Sequence, residues 1–158
     1  MFTSTAAFFT LALATLSGFD QVPVVDVTIG DLIRSPEAFN GKLVKTHGLV
    51  TSGDEEFGIS DDGKGVDVWL QWADDSRVEP RPSFSLQSDN ELKRLKDYLR
   101  KNRCRQLSAT ITGRFDYVKP ERIYENGRLV HIIGFGHLNL YGKRLVAKSV
   151  GDVVCKEY

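Results

Sequence analysis

Residues 42–52, KLVKTHGLVTS, are rich in apolar and β-branched side chains, a composition typical of a β-strand. The stretch follows a turn signal at Asn40-Gly41 and carries one glycine in its interior. A glycine inside a strand weakens it and often marks a bulge or a sharp bend. We therefore predict a strand over Lys42–Ser52 that bends or bulges at Gly48.

Two more strands are predicted before the middle of the chain. Phe57–Ser60 is a short one, and Val66–Ala73 alternates most clearly between apolar and polar residues. The alternation predicts a core face (Val66, Val68, Leu70 and Trp72) and an outer face (Asp67, Trp69 and Gln71). Trp69 is therefore expected either to lie exposed or to be covered by the 74–88 connection.

The second half of the chain contains one helix and further strands. The helix begins at Ser88 or Asp89, and its apolar stripe is formed by Leu92, Leu95 and Leu99. A long strand follows over Gln106–Val118. Asn126-Gly127 then predicts a hairpin between 122–125 and 128–133, and the last strand is Lys143–Val150.

This order of elements resembles a known family. Residues 40–48, NGKLVKTHG, resemble the first strand of small bacterial oligonucleotide/oligosaccharide-binding (OB) domains, and residues 110–115, TITGRF, resemble their fourth. Small exported OB-fold proteins of unassigned function look most similar. The resemblance implies a mainly β fold: a five-stranded Greek-key barrel with one helix between strands 3 and 4. The hairpin before the last strand is an addition to that plan.

Length and charge exclude several classes of protein. The 158 residues correspond to one domain, and 41% hydrophobic with 27% charged residues exclude a disordered chain. The formal net charge is zero, but residues 20–89 hold 14 acidic and 6 basic residues, and residues 90–158 hold 7 acidic and 15 basic ones. The two halves either pair within the fold or form a polarised binding surface.

The first residues are typical of an export signal. The chain has no charged residue from Phe2 to Gly18, and Ala6–Leu16 is an apolar stretch too short to span a bilayer. Ala12-Leu13-Ala14 fits the small-residue rule of signal peptidase. We predict a signal peptide over 1–18 and an OB-fold domain over 19–158, in the periplasm or secreted. Because no Lys or Arg precedes the apolar stretch, a core strand is the alternative.

The chain has two cysteines, Cys104 and Cys155. In an oxidising compartment an even pair tends to form a disulfide, so we predict a bond between them. In a cytosolic protein the same two residues would instead be buried thiols.

The OB resemblance implies a binding site on the face of strands 2 and 3. That face carries Trp69, Phe57, Gln71 and Asp67, with His47 nearby. Because the loops of this region are acidic, a phosphate backbone would be repelled there. We therefore predict an extracytoplasmic binding module for a protein, peptide or glycan. The alternative is a protein that binds single-stranded nucleic acid through the basic helix.

No pattern in the sequence indicates catalysis. The chain has no Gly-x-Ser-x-Gly nucleophile elbow and no zinc-type Cys spacing, so we predict neither an enzyme nor a metal or other cofactor. Gly134-Phe135-Gly136 is too short for a phosphate-binding loop and predicts a crowded corner of the barrel.

Overall fold

The computed structural model describes residues 22–53 and 56–158. The predicted signal peptide, residues 1–18, lies outside the described residues. Strands predominate, and the elements follow the order β1 (Val25–Asp26), α1 (Ile29–Arg34), α2 (Pro36–Phe39), β2 (Leu43–Ser52), β3 (Phe57–Ser60), β4 (Val68–Trp72), α3 (Asn90–Lys101), β5 (Cys104–Tyr117), β6 (Glu121–Glu125), β7 (Arg128–Ile133), a 3₁₀ turn (His137–Asn139) and β8 (Lys143–Glu157).

Five strands close into a ring. β2 pairs with β3, β3 with β4, β4 with β8, β8 with β5, and β5 returns to β2. β4 and β8 run parallel, and the other four pairs of the ring are antiparallel. The short β1 adds to β2 in parallel. The prediction of a mainly β, barrel-like fold is confirmed, with α3 between the third and fourth strands of the ring.

β2 changes its partner at the interior glycine. Residues Leu43 to Leu49 pair with β5, and Leu49 to Ser52 pair with β3. A Cβ atom on Gly48 would lie 2.8 Å from the Ser60 carbonyl oxygen, so the approach of β3 requires glycine here. The irregularity predicted at Gly48 thus coincides with the position where β2 passes from one neighbour to the other.

The core fills the ring and extends under the helices. The side chains predicted to point inward from β5 are buried, among them Ile111 and Phe115. Asp89 caps α3 by accepting a hydrogen bond from the Leu92 backbone N–H at 2.9 Å, and Leu92 and Leu95 are buried against the barrel. The predicted apolar stripe of the helix therefore covers the core.

The predicted disulfide between Cys104 and Cys155 is confirmed. It joins the start of β5 to the end of β8, with 5.4 Å between the two Cα atoms. The bond thus links the ends of two strands that already pair along most of their length.

Several strand boundaries differ from the prediction. The last strand continues beyond Val150 to Glu157, because the long β5 offers it a partner throughout. The third predicted strand is shorter and covers Val68–Trp72. Val66 lies before this strand and packs against Gly58, where a Cβ atom would overlap the Cγ1 atom of Val66. Val66 and Trp72 were expected in the core, but both are half-buried, Val66 before the strand and Trp72 at its last position.

The hairpin forms a separate two-stranded sheet. β6 and β7 pair around Asn126-Gly127, whose φ angles of 51° and 75° are those that a tight two-residue turn requires. Every residue of β6 is exposed. The hairpin therefore leaves Ile123, Tyr124, Leu129 and Val130 exposed to solvent, whereas Ile132 and Ile133 at the end of β7 are half-buried.

Candidate ligand-binding cleft

A cleft of about 690 Å³ opens on the β3–β4 side of the barrel. Strands β3 and β4 provide its floor, and the segments that follow β4 and β7 provide its walls. It is lined by Gly53, Glu56, Phe57, Trp69, Leu70, Gln71, Trp72, Asp75, Arg77, Glu79, Gly134, Phe135, Gly136, His137, Asn139 and Arg144. The size is within the range of small-molecule and side-chain binding sites.

Aromatic rings form the apolar part of the cleft. The chain has two tryptophans, and both line it. The Trp72 ring lies 5.1 Å from that of Phe57, and the Trp69 ring lies 5.0 Å from that of Tyr141. Both pairs are tilted, at distances at which aromatic rings attract each other. These contacts hold the two indoles in fixed positions.

A tight loop over residues 134–141 covers part of Trp69. Phe135 and Tyr141 exchange two backbone hydrogen bonds that close the loop, of 2.6 and 3.1 Å. Gly136, at φ 72°, approaches so closely that a Cβ atom would lie 2.5 Å from Trp69 Cδ2. The crowded corner predicted at 134–136 is thus one wall of the cleft.

The 74–88 connection does not cover Trp69, which was one of the two possibilities that the sequence left open. Its Phe84 packs on a small apolar cluster formed by Ala73, Val78 and Val146. Trp69 is half-buried, and its contacts come from Gly136 and Tyr141. The cover of Trp69 is therefore the 134–141 loop.

A buried arginine fixes the polar wall. The side chain of Arg144 is 5% exposed and pairs with Asp116 at 2.6 Å. It also donates to the Gln71 side-chain oxygen at 3.1 Å and to the Glu79 carbonyl at 2.8 Å. Its guanidinium lies 4.3 Å from the centroid of the Phe135 ring. Arg144 thereby orients two strands and two loops that meet at the cleft.

Asp75 and Arg77 form a second ion pair in the cleft. Arg77 donates to both carboxylate oxygens of Asp75, at 3.1 and 2.9 Å, and the Gln71 amide donates at 3.3 Å. The hydrogen bonds from Arg77 hold the pKa of Asp75 well below its usual range. Asp75 is therefore ionised at neutral pH, and Arg77 offsets its charge.

Glu56 and Glu79 add negative charge at the rim. Both residues are exposed, and Glu79 lies 3.9 Å from Arg81. Burial raises the pKa of Tyr141, and the charge of Glu56 raises it further. The potential of Glu56 therefore reaches the ring that stacks on Trp69.

The structure brings together three of the five predicted binding residues. Trp69, Phe57 and Gln71 line the cleft. Asp67 accepts a hydrogen bond from the Asp61 backbone N–H at 3.3 Å, in the turn before β4. His47 lines a separate hollow of about 360 Å³, and its Nδ1 lies 3.1 Å from Thr110 Oγ1. Asp67 and His47 therefore lie outside the cleft.

Sequence reasoning missed several residues of the site. Trp72 was assigned to the core, and neither Phe135 nor Arg144 was singled out. One signal was available for Arg144: a charged residue that directly precedes the apolar run Leu145-Val146-Ala147 inside a strand. Such a residue, when buried, needs a partner.

Comparisons of the chain with protein-family models, with curated proteins and with solved structures give no match. Among the residues that the structure describes, no helix is long and apolar enough to cross a membrane. The described residues also contain no group of three or more His, Cys, Asp or Glu side chains placed to hold a metal ion.

Proposed function

We propose that the protein is a non-enzymatic, extracytoplasmic OB-fold module that binds a protein, peptide or glycan partner in the aromatic cleft. One observation carries the proposal. Trp69, Phe57 and Gln71, chosen because the OB resemblance implies a binding face on their strands, line a single cleft together with Trp72, the other tryptophan of the chain. Large aromatic side chains in a partly open pocket are typical of recognition sites.

The strand arrangement supports an OB fold. In chain order, the ring strands β2, β3, β4, β5 and β8 are the first to the fifth, and they neighbour one another in the order 1-2-3-5-4-1. The parallel pair joins the third and fifth, and α3 precedes the fourth. The cleft lies on strands 2 and 3 of this ring, the face on which OB folds bind ligands.

The disulfide supports a location outside the cytoplasm. Disulfides persist in oxidising compartments and are rare in the cytosol of most organisms. The apolar, uncharged start of the chain is consistent with such a location.

The state of the charged groups favours binding over catalysis. Arg144 is paired with Asp116, and Asp75 with Arg77, whose hydrogen bonds hold the pKa of Asp75 well below its usual range. A general acid or base needs a pKa near the working pH. Besides His137, the cleft offers ion-paired side chains and aromatic faces.

Binding of single-stranded nucleic acid is the second candidate, and one contact favours it. Lys96 of α3 lies with its Nζ 5.3 Å from the centroid of the Trp72 ring, so a basic residue stands beside the cleft. Other bases of α3 pair within the helix: Arg94 with Glu91, and Arg100 and Lys101 with Asp97. These pairs weaken the positive field that a phosphate backbone requires.

Binding assays with two variants separate the candidates. The immobilised protein is exposed to proteins and glycans of an extracytoplasmic extract and to a thymidine 20-mer. Trp69→Ala removes the cleft aromatic. The triple variant Lys93→Glu, Arg103→Glu and Arg105→Glu reverses exposed bases at and after α3, and it spares Lys96 because of its contact with Trp72.

We expect Trp69→Ala to abolish retention of the extract partner and the triple variant to preserve it. Thermal unfolding of each variant shows that the fold is intact. Tight binding of the 20-mer that weakens steeply with salt, and that the triple variant abolishes, would establish the nucleic-acid function instead.

A further inference from the structure

We infer that the partner is a polypeptide, which places a basic side chain in the cleft and packs apolar side chains on the neighbouring surface. This inference rests on the proposed function and specifies its ligand. It depends on two features that lie side by side, an acidic aromatic cleft and an exposed apolar surface along residues 123–140.

The apolar surface adjoins the cleft. It consists of exposed large side chains on the hairpin, on the 3₁₀ turn and directly after that turn: Ile123, Tyr124, Leu129, Val130, Leu138 and Leu140. The 3₁₀ turn belongs to both features, since His137 and Asn139 line the cleft while Leu138 between them is 65% exposed. Several exposed apolar side chains in one segment beside a cleft are typical of an interaction surface.

Leu138 shows that exposure here has a cost to the fold. Its φ of 51° lies in the left-handed region, which a leucine rarely adopts. Asparagine adopts this region far more readily. A bulky apolar side chain is therefore held in an unfavourable conformation where it is largely in water. In the isolated chain, no burial of the Leu138 side chain offsets this unfavourable backbone conformation. A partner that packs on the side chain would offset it.

The chemistry of this surface fits a polypeptide better than a glycan. Aliphatic side chains offer no hydrogen bonds to sugar hydroxyls, but they pack well against Leu, Val or aromatic side chains. The hairpin also pairs β6 with β7 in a sheet of its own among the described residues. A partner segment therefore finds backbone hydrogen-bonding groups at the edges of that sheet.

The charge of the cleft selects a basic side chain. Of the charged side chains that line the cleft, Glu56, Asp75 and Glu79 are acidic and Arg77 and Arg144 are basic, so the lining has one more acidic than basic residue. The rings of this cleft already attract cations of the chain itself, with Lys96 over Trp72 and Arg144 over Phe135. The acidic side chains of the lining, Glu56, Asp75 and Glu79, would repel a ligand carboxylate.

The test uses three blocked peptides that differ at one position. The probes are acetyl-Leu-Val-Arg-Val-Leu-amide, the same peptide with citrulline in place of Arg, and the same peptide with Glu. Citrulline keeps the shape of Arg without its charge. Since both tryptophans line the cleft, intrinsic fluorescence reports binding directly. A chito-oligosaccharide serves as the glycan probe.

We expect the Arg peptide to bind about five-fold tighter than the citrulline peptide, the effect of one part-exposed charge pair. Glu56→Gln removes that preference, so that the Arg and citrulline peptides bind about equally. Glu121→Gln, an exposed acid on the hairpin, is the matched control and preserves the preference. The Glu peptide binds most weakly of the three.

Leu138→Asn separates a binding role from a structural one. Asn suits the left-handed backbone, so the melting temperature is expected to stay equal or rise while both peptides bind about five-fold more weakly. A substitution that stabilises the fold and weakens binding identifies Leu138 as a contact for the partner.

Equal affinity for the Arg and citrulline peptides, unchanged binding by Leu138→Asn, or no saturable signal from any peptide would each overturn the inference. Saturable binding of the chito-oligosaccharide alone would overturn it and leave the proposed function intact. The proposed function fails separately, if Trp69→Ala retains the extract partner as well as the wild type does.

Discussion

Arg144→Met tests how the polar wall of the cleft is held. The substitution keeps an unbranched side chain of moderate length and removes the guanidinium that contacts Asp116, Gln71 and the Glu79 carbonyl. Residue Asp116 is only 9% exposed, so its carboxylate cannot recover these contacts from water. The loss of stability therefore depends on which hydrogen bonds the Asp116 carboxylate keeps in the variant.

The expected loss is about 3 kcal/mol. Breaking a buried ion pair by removing one partner costs roughly 3–5 kcal/mol. The lower end applies because Arg114 still donates to Asp116 through two hydrogen bonds of 2.7 and 2.9 Å. For a chain of this size, 1 kcal/mol shifts the melting temperature by about 2–4 °C, so we expect a decrease of about 6–12 °C.

The assay is thermal unfolding followed by circular dichroism under non-reducing conditions at pH 7. Arg77→Met is the matched control, since Arg77 also pairs with a carboxylate in the cleft but its side chain is 84% exposed. We expect a much smaller shift for the control. A melting temperature of Arg144→Met within about 2 °C of the wild type would refute the structural role assigned to this ion pair.

Three further predictions concern the disulfide, the cleft wall and pH. Replacing Cys104 and Cys155 by serine removes a cross-link between residues 51 positions apart and should lower the free energy of unfolding by roughly 4 kcal/mol. An unchanged melting temperature contradicts this. Gly136→Ala places a Cβ against Trp69 and should alter the near-ultraviolet circular dichroism of the indole and weaken partner binding; an unchanged spectrum refutes the close approach. Asp75→Asn should destabilise the protein above about pH 4, where Asp75 is ionised in both states, and the difference should shrink as pH falls toward its lowered pKa; a difference that grows on acidification has the wrong sign.

Local patterns predicted the fold because they report burial directly. Alternation along the 106–118 stretch identified Ile111 and Phe115 as core residues, and both are fully buried. The Asn126-Gly127 turn requires two left-handed residues, a demand that few other dipeptides meet. These features depend on near neighbours in the chain, so sequence reasoning finds them.

The walls of the cleft depend on contacts between distant residues. Tyr141 stacks on Trp69, and Arg144 pairs with Asp116, although each pair is far apart in the chain. No local pattern encodes such pairs. Trp72 was assigned to the core because parity gives the direction of a side chain but not the position at which the barrel ends. The aromatic face was predictable, whereas its walls were not.

The most direct test of the binding role is nuclear magnetic resonance of the two indole N–H groups. Both tryptophans line the cleft, so each signal reports on the site, and the Trp69→Phe variant assigns them. The partner retained from the extracytoplasmic extract is added to ¹⁵N-labelled protein. We predict that both indole signals shift with saturation while most backbone signals of the opposite side of the barrel stay in place. A saturating partner that shifts backbone signals of α3 and leaves both indole signals unmoved would contradict the assignment of the cleft as the binding site.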